Sequence, residues 1–335
     1  MTANNTAPRI AAAGAGRMGR GIAIAFAYAG HRVALIDLKP RPAADWQRLR
    51  DEASAEIAHS LAGLVALGVL EPEQAGQIAA RIALVNADGA PAALAAAGLV
   101  FEAVAETLAD KRQALALLSE RCSDEAILSS TTSSMGVAQL AALVKHPERF
   151  LNIHWLNPAY IIPVVELSTH RGTSPAVLAR AKALIEGIGK LPVQCGDSPG
   201  YIVPRLQALV MNEAARMIEE GAATAEEIDK ATRFGLGLRF AALGVVEFID
   251  FGGADILHHA SREMAQAIDA RRYAAPDIVT RMVEQGRLGL KTGSGFYDYS
   301  QRDLAAYRRD VLSRVIGQLQ HAGLWRPAAA QSIDE

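Results

Sequence analysis

The sequence predicts an α/β chain: a Rossmann-type N-terminal domain with a mostly parallel sheet, then an all-α C-terminal domain. Three observations predict it. Short apolar, strand-like runs alternate with helical stretches through the first 197 residues, the pattern of a parallel sheet covered on both faces. A glycine-rich loop, Gly14-Ala15-Gly16-Arg17-Met18-Gly19, joins the first such run to the first helical stretch. Beyond the turn signal Asp197-Ser198-Pro199-Gly200 the strand-like runs cease. The expected division is 1–197 for the Rossmann-type domain, 198–300 for a helical domain, and 301–335 for a C-terminal helix and tail.

In chain order, Arg9–Ala13 is the first strand and Gly19–Ala29 the first helix, stopped at Gly30. Arg32–Asp37 is the second strand. A long helix is expected over 43–67 and a partner near 72–81, after Glu71-Pro72. The alanine-rich stretch 89–101 reads as helix and then strand. Leu99–Ala103, Ala126–Ser130, Phe150–Trp155 and Pro163–Ser168 complete the expected strands. Further on, Arg205–Glu220 is helical and ends at Gly221. Thr224 with Glu227 forms a capping box for the next helix. Residues 244–271, 274–286 and 302–323 also read as helix.

The chain has 335 residues, enough for about two domains at ~150 residues each. At 50% hydrophobic and 21% charged it has the composition of a folded protein. Thirty-four Lys and Arg against 36 Asp and Glu leave a net charge of -2, which excludes a general nucleic-acid binder. No apolar run of ~18 residues is available to cross a membrane. The opening MTANNTAPRI lacks a signal-peptide layout. Cys122 and Cys195 show neither metal spacing nor a disulfide framework. A cytoplasmic protein without metal, membrane or nucleic-acid partners is expected.

The glycine loop has a physical reading. Gly14 permits a tight turn, Gly16 lets a pyrophosphate approach the backbone, and Gly19 lets the helix pack close to the strand. Arg17, Met18 and Gly19 open the helix, whose free N–H groups and positive dipole suit phosphates. Asp37 ends the second strand, 21 residues beyond Gly16. An acid there accepts hydrogen bonds from a ribose 2′-OH and repels a 2′-phosphate. NAD is therefore the expected cofactor, although Lys39 and Arg41 stand close by.

A second constellation suggests acid–base chemistry. His154 lies in one strand candidate and Glu166 in the next, with Pro158 and Pro163 turning the chain between them. Adjacent strands can bring imidazole and carboxylate together. A carboxylate on one ring nitrogen fixes the tautomer and stabilises the imidazolium when the other nitrogen takes a proton. A structural histidine paired with a buried acid is the alternative.

Six segments resemble the L-3-hydroxyacyl-CoA dehydrogenases: GAGRMGRGIA (14–23), VFEAVAETLADK (100–111), SSTTSSMGV (129–137), HWLNPAYIIPVVEL (154–167), GDSPGYIVPRL (196–206) and LKTGSGFYDY (290–299). The resemblance runs from about residue 9 to about residue 300. It places the family's catalytic dyad on His154 and Glu166. It places the serine that contacts substrate hydroxyl and histidine on Ser133, and a residue near the substrate carbonyl and nicotinamide on Asn157. Glu106 and Lys111 match a pair beside the nicotinamide ribose, with an exposed helix salt bridge as the alternative. Glu102 takes no role from the resemblance. A cleft between the two domains and a homodimer through the helical domains are implied.

The chain departs from the acyl-CoA pattern in places. Pro204 stands where the family usually has an asparagine that helps hold the substrate; proline lacks that donor but fits the first turn of a helix. In GLGLRFAALG (235–244), Arg239 falls where the acyl-CoA members usually carry proline. Here the chain looks closer to the branch with lambda-crystallin (L-gulonate 3-dehydrogenase) and carnitine dehydrogenase, which act on free carboxylic acids. A guanidinium suits a carboxylate, so Arg239 is a candidate substrate anchor; a surface or inter-subunit arginine is the alternative. The excursion 43–81 has no lysine, and its Arg48, Arg50 and Arg81 lie among acids, a poor cradle for the phosphates of CoA.

The expected reaction is NAD-dependent oxidation of the 3-hydroxyl of a 3-hydroxy acid, free carboxylate favoured, with Ser133 and Asn157 holding the oxygen. One alternative is a 3-hydroxybutyryl-CoA dehydrogenase of fatty-acid metabolism. Another is a non-catalytic NAD-binding or structural protein on the same fold. A third, the hydroxyisobutyrate and 6-phosphogluconate type, would need a catalytic lysine, for which Lys190 is the nearest candidate.

Overall fold

The computed structural model describes residues 10–326. Arg9 at the start of the first expected strand and residues 327–335 of the expected tail lie outside the described residues. The chain forms two compact units that divide between Val210 and Met211.

The first unit is built on one eight-stranded sheet of order β3-β2-β1-β4-β5-β6-β7-β8. Its strands are β1 (Ile10–Ala13), β2 (Val33–Ile36), β3 (Ile82–Val85), β4 (Leu99–Glu102), β5 (Ile127–Ser130), β6 (Phe150–Trp155), β7 (Val164–Ser168) and β8 (Leu191–Cys195). All neighbours pair in parallel except β6 and β7, which are antiparallel. The expected mostly parallel sheet is present. Its two outer strands, β3 and β8, are additions to the expectation. Both are half-exposed edge strands; Pro192 and Gln194 interrupt β8, whereas β3 is a four-residue apolar run, Ile82-Ala83-Leu84-Val85, too short beside the helix before it to stand out.

Helices α1 (Arg17–Tyr28), α2 (Ala43–Ala66), α3 (Pro72–Ala80), α4 (Ala90–Ala95), α5 (Leu108–Arg121), α6 (Val137–Ala141) and α7 (Pro175–Gly187) belong to this unit. The alternation of β1 explains the two-sided core. Ala11 and Ala13 face one layer with Leu94, Leu115, Leu118 and Leu140. Ile10 packs on the other side with Ile22, Phe26, Phe101 and Trp155. Small residues in β1 let the helices come close. The rings of Phe26, Phe101 and Trp155 meet at 5.6 to 6.0 Å. The long helix α2 buries only Ala53, Ile57, Leu61 and Leu64, a single stripe at helical spacing.

α8 (Val203–Glu219) begins in the first unit and ends in the second. Pro204 is accepted in its first turn, as the sequence predicts. The second unit holds α9 (Ala225–Lys230), α10 (Leu238–Ala242), α11 (Val245–Gly252), α12 (Ala254–Ala267), α13 (Ala270–Tyr273), α14 (Asp277–Glu284) and α15 (Leu304–His321). Thr224 caps α9 by accepting from Glu227 N at 3.3 Å. The single helix expected over 244–271 is broken. Gly253, with φ of +112°, turns the chain between α11 and α12, and Asp269 starts α13. The 274–286 helix is shorter, starting at Asp277 after Pro276. Residues Ala231–Gly237 wind as a π-helix, which composition did not reveal.

Candidate active site

The glycine loop lies between β1 and α1, and each glycine has its own reason. Gly14 has φ of +124°, and any Cβ there would collide with the Ala103 carbonyl. A Cβ on Gly19 would strike the Gly14 carbonyl and press on Leu35. At Gly16 a Cβ would meet nothing within 4 Å and would instead fill open space over the loop. That space continues into a cleft of about 370 Å³ lined by Gly14, Gly16, Asp37, Arg41, Ala103 and Leu117 among others. α1 starts there with no side-chain cap on its first amides. Arg17 is exposed at this end, and Met18 packs against the core. An open backbone cradle beside an uncapped helix N-terminus fits a dinucleotide phosphate.

Asp37 is buried at the end of β2. It accepts from the Lys39 amide at 3.4 Å and from Arg41 Nε at 2.5 Å. The Asp37 hydrogen bond raises the Arg41 guanidinium above its ordinary value. The two cations flagged in the sequence thus differ: Arg41 is engaged by the acid, whereas Lys39 contributes only its backbone.

Glu106 and Lys111 come together, but not as an exposed helix pair. Lys111 is fully buried. Its Nζ lies 3.1 Å from both oxygens of Glu102 and 3.2 Å from Glu106 Oε2. Glu102, also fully buried, accepts in addition from Ser130 Oγ and the Val104 amide. The sequence reading left Glu102 without a role. An acid at the buried end of a strand was the available signal, because such a group must find partners. Glu106 Oε1 gathers the following loop by accepting from Thr132 Oγ1, the Ser133 and Ser134 amides, and Ser134 Oγ. Partial burial works to raise the Glu106 carboxyl, but the Thr132 bond, Lys111 and the Ser134 bond outweigh it and hold it at about 2. Ser133 is exposed, with its hydroxyl 3.5 Å from Glu106; among the described residues it makes no bond to His154.

His154 and Glu166 are directly opposed residues of the antiparallel β6–β7 pair. Nδ1 lies 2.8 Å from Glu166 Oε2. The second oxygen, Oε1, accepts from the Ile202 and Val203 amides at 2.9 and 2.8 Å, at the start of α8. Burial works to raise the Glu166 carboxyl. The bond to His154 and the two amides prevail and lower it, so it stays a carboxylate. Among the described residues, His154 Nε2 has no partner. The His154 ring lies parallel to Tyr201, with centroids 4.6 Å apart and planes at 11°. The sequence reading quoted the segment containing Tyr201 without singling it out. Asn157 is exposed just beyond β6, joined to Pro158 by a cis peptide bond.

Lys190 is buried and donates to the Ile162 carbonyl at 2.8 Å, a bond that serves the backbone. Burial pushes the Cys122 thiol up to about 12 and, with Glu166 nearby, Cys195 to about 11, so neither is a thiolate. In the second unit, Arg239 is exposed. Its Nε donates to the Gly235 carbonyl at 2.8 Å, and its guanidinium lies over the Phe248 ring. Among the described residues, no helix is long and apolar enough to cross a membrane, and no three His, Cys, Asp or Glu side chains gather as a metal set would.

Residues 9–198 match the 3-hydroxyacyl-CoA dehydrogenase NAD binding domain, and residues 200–299 match the C-terminal domain of the same enzymes. The chain is 35% identical over 291 residues to 3-hydroxyadipyl-CoA dehydrogenase of Escherichia coli (strain K12), which covers 87% of this chain and 58% of that protein. It is 30% identical over 308 residues to 5-formyl-3-hydroxy-2-methylpyridine 4-carboxylate 5-dehydrogenase of Mesorhizobium japonicum, covering 92% of this chain and 96% of the relative. A crystal structure of 3-hydroxyacyl-CoA dehydrogenase from Archaeoglobus fulgidus superposes with a TM-score of 0.72 at 29% identity, covering 95% of this chain and all of that one. Fold and matches together define an NAD-dependent oxidoreductase acting on CH–OH groups. The chain belongs to the 3-hydroxyacyl-CoA dehydrogenase family.

Proposed function

We propose that the protein oxidises the 3-hydroxyl of a 3-hydroxy acid to the 3-keto form and prefers a free carboxylate to a CoA thioester. The observation that carries the chemistry is the cross-strand pair: His154 is held at Nδ1 by Glu166 while Nε2 has no partner among the described residues. His154 Nε2 takes the hydroxyl proton. Glu166, kept ionised by His154 and two helix amides, fixes the tautomer and balances the imidazolium. Ser133 and Asn157 hold the substrate oxygen. When bound, NAD supplies the hydride acceptor; the Gly14–Gly19 cradle and Asp37 hold its phosphates and ribose. Lys111 is too deeply buried to touch the cofactor and supports it by setting Glu106.

Four observations support the free acid. The arginines of the 43–81 excursion are already engaged or paired locally: Arg48 lies 3.0 Å from Asp45, Arg50 lies 3.9 Å from Asp51, and Arg81 donates to the Ala27 carbonyl. Pro204 offers no donor in the first turn of α8. Arg239 presents an exposed guanidinium. The Mesorhizobium relative has a carboxylate and no CoA in the name of its substrate. A homodimer is proposed from the apolar side chains that the second unit exposes, among them Met211, Phe234, Phe240, Val246 and Ile256. Two free thiols suit a reducing cytoplasm.

The test is NADH formation with L-3-hydroxybutyrate against L-3-hydroxybutyryl-CoA at equal concentration. The free acid is expected to give the higher kcat/KM. Arg239→Met should then raise its KM roughly 10-fold or more, as loss of a charge-assisted bond would. Preference for the thioester would return the protein to acyl-CoA metabolism and make Arg239 incidental.

A further inference from the structure

We propose that Tyr201 is a positioning residue of the dyad, its ring setting the plane of His154 and its phenol tying that ring to the loop that carries Ser133. This rests on the reading of His154 as the base.

A hydrogen bond at Nδ1 anchors an imidazole along one axis but leaves the ring free to turn about it. A second contact must fix the plane if Nε2 is to face one direction. Tyr201 supplies it, parallel to His154 at 4.6 Å. The phenol O–H donates to the Thr132 carbonyl at 2.7 Å, one residue before Ser133. Burial pushes the Tyr201 phenol up, so it remains a donor. The next two amides, of Ile202 and Val203, hold Glu166. One three-residue segment therefore grips the histidine, its carboxylate and the serine loop. Tyr201 adopts φ of +47°, a left-handed conformation that a bulky residue rarely takes. The surroundings hold the ring in place against that cost. Glu166 on β7, Cys195 on β8 and Glu106 beside the Thr132 loop are the other titratable groups around it.

The experiment compares Tyr201→Phe, Tyr201→Leu and Tyr201→Asn, with kcat and KM for whichever 3-hydroxy substrate the protein turns over, the NADH dissociation constant, and the melting temperature. Asn suits a left-handed backbone, so it covers the case in which Leu does not fold. Tyr201→Phe keeps the stack and loses the tie: kcat should stay within about 3-fold of the parent while KM rises. Tyr201→Leu and Tyr201→Asn lose the plane: kcat should fall at least about 10-fold with NADH affinity unchanged. Parent-like kcat in both ring-less variants, or a Phe variant as slow as they are, would overturn the inference. His154→Ala is run beside them. If it keeps parent turnover, the base assignment itself fails, and the inference falls with it.

Discussion

Two buried carboxylates on the same sheet have opposite surroundings. At the end of β4, Glu102 meets Lys111, and every ammonium contact is taken, two by Glu102 and one by Glu106. On β6 and β7, Glu166 meets His154 with equal care, yet among the described residues one ring nitrogen has no partner. Both carboxylates draw on backbone amides as well. The first network is closed at Lys111, which is left to hold Glu102 and position Glu106. The second leaves Nε2 without a partner among the described residues, and the proposed function places the proton transfer there. A closed charge network stabilises and positions; an open one leaves a group available to a substrate. A third pair, Asp37 with Arg41, lies between these extremes, since Arg41 is partly exposed at the cleft.

Breaking the closed network should have the largest effect on stability. Lys111→Met strands Glu102 and Glu106 together, and Glu102 has no solvent access. A loss of about 3–5 kcal/mol in denaturant unfolding is expected. The double change Lys111→Met with Glu102→Gln should recover much of it, because the stranded charge is then gone. A loss below about 1 kcal/mol in the single variant would deny that the network is closed. The intermediate pair comes next. Asp37→Ala should weaken the kcat/KM preference for NAD over NADP by roughly 10-fold, since it removes the proposed ribose acceptor and frees Arg41 for a 2′-phosphate. An unchanged ratio would remove Asp37 from cofactor selection.

The smallest effect is expected at Glu106, whose side chain is 39% exposed and so screened by water. Its carboxyl is held at about 2 against an ordinary 4.5. A lowered folded-state value contributes stability that is complete above the ordinary value and is lost as pH falls through 4.5 towards 2. Glu106→Gln should flatten that part of the melting-temperature profile. A profile parallel to the parent's would show that Glu106 adds nothing on the acid side.

Legibility in the sequence followed how local each cause is. The glycine loop was readable because Gly14 and Gly19 answer to atoms of the loop itself or of the adjoining strands, while Gly16 keeps the space above the loop open. The buried strands were readable as mostly apolar runs between turn and helix signals; β8, interrupted by Pro192 and Gln194, was not, and the short apolar run of β3 did not stand out after α3. The break at Gly253 was visible as a Gly252-Gly253 doublet inside a helical pattern, a signal outweighed by the apolar residues around it. The π-helical Ala231–Gly237 has no such marker. Tyr201 escaped because its partners His154 and Thr132 are distant in sequence; Glu102 escaped although Lys111 is only nine residues on, because that spacing crosses from strand to helix and shows no pairing by itself. His154 and Glu166 were legible through strand pairing plus family resemblance, not from spacing alone.

The difference between the closed and the open centre reduces to one measurement: kcat of His154→Ala together with its NADH dissociation constant. A base at Nε2 predicts a fall of about 10²–10⁴-fold in kcat with cofactor affinity unchanged. Turnover within a few-fold of the parent would contradict the account and leave His154 as a structural partner of Glu166, no different in kind from Lys111 beside Glu102.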